Sequence, residues 1–208
     1  MTSGGAWATH GHAPPATARL ASLPALAALA TLTLAACGDD PVRFSEPVTI
    51  NLKAKSSDTV GGVVDDDKGI TTENGNPYGR FISDARDALG GADPGRVALE
   101  GATLTLGAAS TGVLGLGEVF TGNVEVALTV NDTNNTYPAA WGPIAATAPS
   151  GPLTLTTGFS TDTLSSTDVA KLLGGSFKVG IRGPAAAGFS AKGADADLQV
   201  TLTFAAFQ

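Results

Sequence analysis

The chain has 208 residues, a formal net charge of -7, one Cys, two His, 27 Gly and 12 Pro. A single Cys excludes an internal disulfide framework, and the acidic balance argues against nucleic acid bound by phosphate neutralisation. Glycine is abundant without the three-residue repeat of a collagen helix, and charged residues, at 15%, are too sparse for a charge-driven disordered tail.

Residues 1–36 differ from the rest. All 19 acidic residues lie from Asp39 onward, and Arg19 is the basic residue of the leading segment. A mostly apolar run then extends from Leu20 to Leu34. It suits the core of an export signal and falls short of the ~20 residues that span a bilayer as a helix. It ends in Leu34-Ala35-Ala36-Cys37, with Gly38 next.

That junction resembles the lipobox of bacterial lipoproteins. The resemblance covers the leader and its Cys and identifies no domain family. It implies that residues 1–36 are a signal peptide, and that Cys37 carries a diacylglycerol thioether and usually an acylated N-terminus after cleavage. It therefore implies a cell-envelope location with the membrane as a partner. Gly38, where an Asp would favour inner-membrane retention, points to the outer membrane if two are present. A secretory signal whose cleavage site adjoins a Cys is the alternative. Each buried methylene contributes about 0.8 kcal/mol, so two or three acyl chains hold firmly where one holds marginally.

Residues 37–47 read as the lipidated Cys and a tether, with Pro41 and Pro47 resisting regular structure. Residues 48–208 read as a single domain. Val48, Ile50 and Leu52 alternate with polar residues. The same period of two runs through Val97–Leu106, with Gly101 a possible bulge, and through Val124–Val130. It recurs at Leu153–Leu155, Phe177–Ile181 and Leu198–Phe204. Val60–Val64 and Val113–Phe120 are weaker strand candidates, interrupted by glycines.

Asn76-Pro77 opens a helix whose apolar stripe is Tyr78, Phe81, Ile82, Ala85 and Leu89. A shorter helix is expected over Thr167–Leu173 with Ser166 as its cap. The fold expected is mostly β: an antiparallel β-sandwich of seven or eight strands, with one or two short helices covering an end or edge. A transmembrane barrel is disfavoured, because aromatic residues are too few for two girdles.

Both histidines, His10 and His12, lie in the leader. The segment after Cys37 therefore has neither His nor Cys, which removes Ser-His-Asp and Cys-His catalysis and the usual zinc, haem and iron–sulfur ligand sets. No phosphate-binding loop is present, and Gly112-Val113-Leu114-Gly115-Leu116-Gly117 lacks the strand–loop–helix context of a dinucleotide loop. Carboxylate chemistry remains available to Glu73, Glu100, Glu118 and Glu125, although spacing does not pair them.

Calcium is the one cofactor with candidate ligands: Asp65, Asp66 and Asp67 in one acidic segment, Asp132 and Asn134 in another. Each segment also reads as a solvated loop or turn. Tyr137-Pro138-Ala139-Ala140-Trp141-Gly142-Pro143 reads as a proline-bounded connection. Its Tyr137 and Trp141 are candidate ligand contacts, with an inward Trp141 plugging the domain as the favoured alternative. Thr71–Arg80 reads as a recognition loop or as a long turn capped by Asn76.

These readings converge on a membrane-anchored cell-envelope lipoprotein carrying a non-enzymatic binding or scaffolding module. Its expected partner is an envelope protein or a glycan. A calcium- or glycan-binding module is the alternative, followed by a carboxylate-dependent glycosidase.

Overall fold

The computed structural model describes residues 42–72 and 75–208. The leader, Cys37 and Glu73 lie outside them. Among the described residues eight strands are present: β1 (Arg43–Lys55), β2 (Val63–Ile70), β3 (Arg96–Leu106), β4 (Gly122–Val130), β5 (Thr136–Ile144), β6 (Leu153–Thr157), β7 (Phe177–Pro184) and β8 (Asp195–Phe207). Two α-helices join them, α1 (Pro77–Ala88) and α2 (Ser166–Leu173).

All strand pairings are antiparallel, in the order β1-β8-β3-β6-β5-β4-β7-β2. The edge strands β1 and β2 lie against one another. Across that seam the Lys53 backbone N–H donates to Asp66 Oδ2 at 2.8 Å. The sheet is thus nearly closed and barrel-like, which corrects the expected sandwich of two separate sheets. The cause is β6. It pairs with β3 at Ala102–Leu104 and with β5 at Ala140–Trp141, stitching together halves that a sandwich keeps apart.

Apolar side chains alternate into the interior and Thr, Lys, Asp and Glu alternate outward. A membrane-embedded barrel has the reverse pattern. Among the described residues no helix is long and apolar enough to cross a membrane.

The aromatic stripe of α1 seals one end. Tyr78 packs edge-on to Phe177 and Phe204 with ring centroids 4.9 and 5.2 Å away, and Phe81 meets Phe204 at 5.5 Å. The Tyr78 hydroxyl donates to the Leu172 carbonyl at 3.1 Å, tying α1 to α2. Burial raises the Tyr78 pKa, keeping the phenol protonated. Asn76 caps α1 as expected, accepting from the Tyr78 N–H at 3.0 Å. The cap of α2 is Ser165, one residue earlier than expected.

Connections seal the other end with Leu116, Val119, Phe120 and Phe189, all fully buried. Here Val113–Phe120 is not a strand; it holds a short 3-10 turn at Leu116–Glu118. Its glycines serve close packing. A Cβ on Gly117 would sit 2.4 Å from the Ala146 carbonyl oxygen, and one on Gly115 would sit 2.5 Å from that of Ala148.

Three further boundaries differ from the sequence reading. β1 begins at Arg43, inside the expected tether, and tolerates Pro47 because it is an edge strand. The acidic segment Asp65–Asp67 lies within β2, not in a loop. Tyr137–Pro143 lies within β5, not in a connection. The expected bulge in β3 is present, with the register shifting between Leu99 and Gly101.

Candidate functional site

A second bulge decides what the outer surface displays. On β4, Val126 pairs with Ala140 and the next residue, Ala127, pairs with Pro138. Ala139 is therefore an extra residue in β5, and Ala139 and Ala140 both face the interior. Strict alternation from the inward-facing Tyr137 would point Trp141 inward. The inserted residue reverses the phase, as bulges do when they re-aim a side chain. Trp141 consequently faces out, 42% exposed, which corrects the expectation that it plugs the core.

The tip of the indole lies against Gly158, the residue after β6. A Cβ at Gly158 would come within 2.6 Å of Trp141 Cη2 and 3.0 Å of Cζ3, so the missing side chain is what lets the ring lie down. Trp141 is flanked in register by Thr156 on β6 and Glu125 on β4. Glu125 faces Arg182 on β7, and Arg182 faces Asp65 on β2. These five outward residues form one row across five strands.

A shallow depression of about 370 Å³ opens beside the row, lined by Asn123, Glu125, Arg182, Pro184 and Val63. Among the described residues the side chains of Asn123 and Glu125 have neither hydrogen-bond nor ion-pair partners. Arg182 Nε lies 3.9 Å from Asp65 Oδ2, beyond hydrogen-bond length, so its N–H groups are free for other acceptors. Trp141 does not line the depression; it joins it through the strand register with Glu125, so an exposed aromatic lies one strand away from these donors and acceptors.

Tyr137, the other aromatic candidate, is committed elsewhere. Its hydroxyl donates to Asp168 Oδ2 at 2.7 Å. Asn135 Nδ2, Thr133 Oγ1 and Ser165 Oγ donate to the same carboxylate at 2.9, 2.8 and 3.0 Å. Asp168 is fully buried. Hydrogen bonds from Tyr137, Asn135 and Thr133 outweigh the burial and hold its pKa down at about 2. The cluster pins α2 to the β4–β5 hairpin, and the Asp168 carboxylate in turn raises the Tyr137 pKa.

The calcium candidates do not converge. Alternation along β2 puts Asp65 and Asp67 on one face and Asp66 on the other. Asp67 pairs with Lys178 at 3.2 Å, while Asp66 is spent on the β1–β2 seam. Desolvation raises the Asp66 pKa, with a backbone hydrogen bond from Lys53 opposing it. Asp132 pairs with Lys171. Asp132 and Asn134 take positive φ, 69° and 54°, as turn residues. Among the described residues no group of three His, Cys, Asp or Glu side chains is placed to hold a metal ion.

The remaining glutamates also sit apart. Glu100 accepts from Arg43 at 3.0 Å and Ser45 at 3.1 Å, and Glu118 pairs with Lys192, which lowers its pKa. A larger groove of about 810 Å³ runs along α1, but its cations are already paired, Arg80 with Glu46 and Arg86 with Asp93.

No family profile and no curated protein matches this chain.

Proposed function

We propose that the chain is a lipid-anchored cell-envelope protein whose barrel-like domain is a non-enzymatic binding module. It makes contact through the outer sheet face centred on Trp141. The outward indole, seated on Gly158 beside unpaired polar groups, is the observation that carries this reading. A large aromatic held in one orientation offers contact area at little conformational cost. The Leu34-Ala35-Ala36-Cys37 junction supports the anchor.

Two measurements test the two halves of this reading. In the source cells, C37S should move the protein from the membrane to the soluble fraction or block its maturation; normal membrane retention refutes the anchor. Purified full chain carrying C37S should be retained by isolated envelopes, and adding W141A should abolish that retention. Equal retention of both proteins refutes a contact face at Trp141.

A further inference from the structure

We infer that the Trp141 face binds a neutral oligosaccharide. One pyranose stacks on the indole, and the hydroxyls of the rings linked to it are held by Glu125, Arg182 and Asn123. This deepens the proposed function and rests on its assignment of Trp141 as the contact face.

The chemistry of the row selects this ligand class. A pyranose has an apolar C–H face and a rim of hydroxyls that both donate and accept. It therefore needs a flat apolar platform with mixed polar groups at its edge, few of them already engaged. Trp141 is that platform, held in place with the far edge of its ring, Cη2 and Cζ3, against Gly158. Glu125 supplies acceptors, Arg182 donors and Asn123 both.

Charge narrows the class further. Arg182 sits in register between Glu125 and Asp65, so a phosphate or sulfate approaching the guanidinium meets two carboxylates. An ammonium ligand approaching either carboxylate meets Arg182. A neutral polyol incurs neither repulsion. A protein partner would require a rim around the aromatic anchor that excludes water. The two cross-strand neighbours of Trp141 are instead the exposed Thr156 and Glu125.

The layout is elongated. Arg182, Glu125, Trp141 and Thr156 lie on four consecutive strands, spanning about 14 Å at about 4.8 Å per strand. Such a track suits several linked sugar rings better than a single small molecule.

The test uses the full chain carrying W7F and C37S, which leaves Trp141 as the fluorophore and removes the acylation site. Chitotetraose, cellotetraose and maltotetraose are titrated separately, followed by tryptophan emission and calorimetry. At least one should bind saturably. W141A, E125A and R182A should each weaken it about tenfold or more, while W141F, which keeps a ring, should weaken it less than W141A. All three positions are on the outer surface, and unchanged far-ultraviolet dichroism verifies folding.

Failure of all three sugars to bind overturns the inference. So does binding that survives E125A and R182A together, because the indole would then be acting as a nonspecific apolar patch. The envelope-retention assay separates the levels. Retention lost in W141A with no sugar bound leaves the contact face standing and removes the glycan. Retention unchanged in W141A removes both.

Discussion

Substituting Gly158 by Ala probes the support beneath Trp141. No positive φ demands glycine at 158, so its backbone conformation is open to alanine. The space is not, because the new Cβ would lie 2.6 Å from Cη2 and 3.0 Å from Cζ3 of the indole. The obstructing atoms are the far end of an exposed side chain, so the ring lifts while the strands stay paired. Lifting re-exposes on the order of 50 Å² of apolar surface, or roughly 1 kcal/mol at about 25 cal/mol per Å². Against this, replacing Gly reduces unfolded-state entropy, a gain of about 0.4–1 kcal/mol. The net loss in urea unfolding should therefore stay within about 1 kcal/mol, small beside a core defect. Acrylamide quenching of Trp141 in the W7F background should nevertheless rise clearly, and oligosaccharide affinity should fall with it. If quenching and emission maximum are unchanged in G158A, the indole does not rest on Gly158 and is not held there as a platform.

Two further predictions concern the frame around the site. The folded pKa of Asp168, about 2, lies below its ordinary value of 3.8, so the ionised carboxylate contributes stability that is complete above that value and is lost as pH falls toward 2. D168N should lower the urea midpoint at neutral pH and flatten the decline from pH 4 to 2; parallel acid declines in both proteins would show that the cluster does not favour the charged form. G117A should cost about 1–3 kcal/mol as an overpacking change, because its Cβ would meet the carbonyl oxygens of Ala146 and Ala145 at 2.4 and 2.5 Å. A thermal midpoint equal to the parent would show that the 145–148 segment yields easily.

Much of the β framework is legible in the sequence, since one-sided burial writes itself as alternation. Val124, Val126, Leu128 and Val130 are each buried on β4, and the stripe of Tyr78, Phe81, Ile82 and Ala85 lies on the buried face of α1. Two strands leave weaker traces. β2 carries three consecutive Asp because two point outward and the third clasps the seam. β5 carries Pro138 and Pro143, and its bulge destroys the period of two. The barrel-like closure is invisible for a related reason. It depends on the five-residue β6 pairing on both sides, which no local pattern encodes. The Asp168 cluster has a local signal, Ser165-Ser166-Thr167-Asp168, which has the spacing of a capping box. The convergence of Thr133, Asn135 and Tyr137 on that carboxylate appears only in three dimensions. Asn123 and Arg182 join Glu125 and Trp141 through strand register alone, so no sequence motif marks them as a site.

The outward Trp141 and the inward Ala140 are consequences of one structural decision. At this level of the interior, Ala140 faces Val126, and Val126 faces Ile181; all three are fully buried. A close-packed interior has no spare volume there, and an indole in place of the Ala140 methyl would overpack it. The extra residue at Ala139 keeps the small side chain inside and sends the large one out. Core packing explains why Trp141 cannot face in at this position, but it does not require a tryptophan outside. A threonine or lysine would satisfy the outer face of β5, as such residues do on β1, β7 and β8. Displaying the largest apolar side chain beside an unpaired Glu125 and Asn123 departs from the polar residues that fill the outer face of most of β1 and β8. Places where a fold breaks its own local pattern tend to be functional or strained sites. The bulge, the bare Gly158 and the unpaired Glu125 and Asn123 thus support the proposal of one ligand-facing surface.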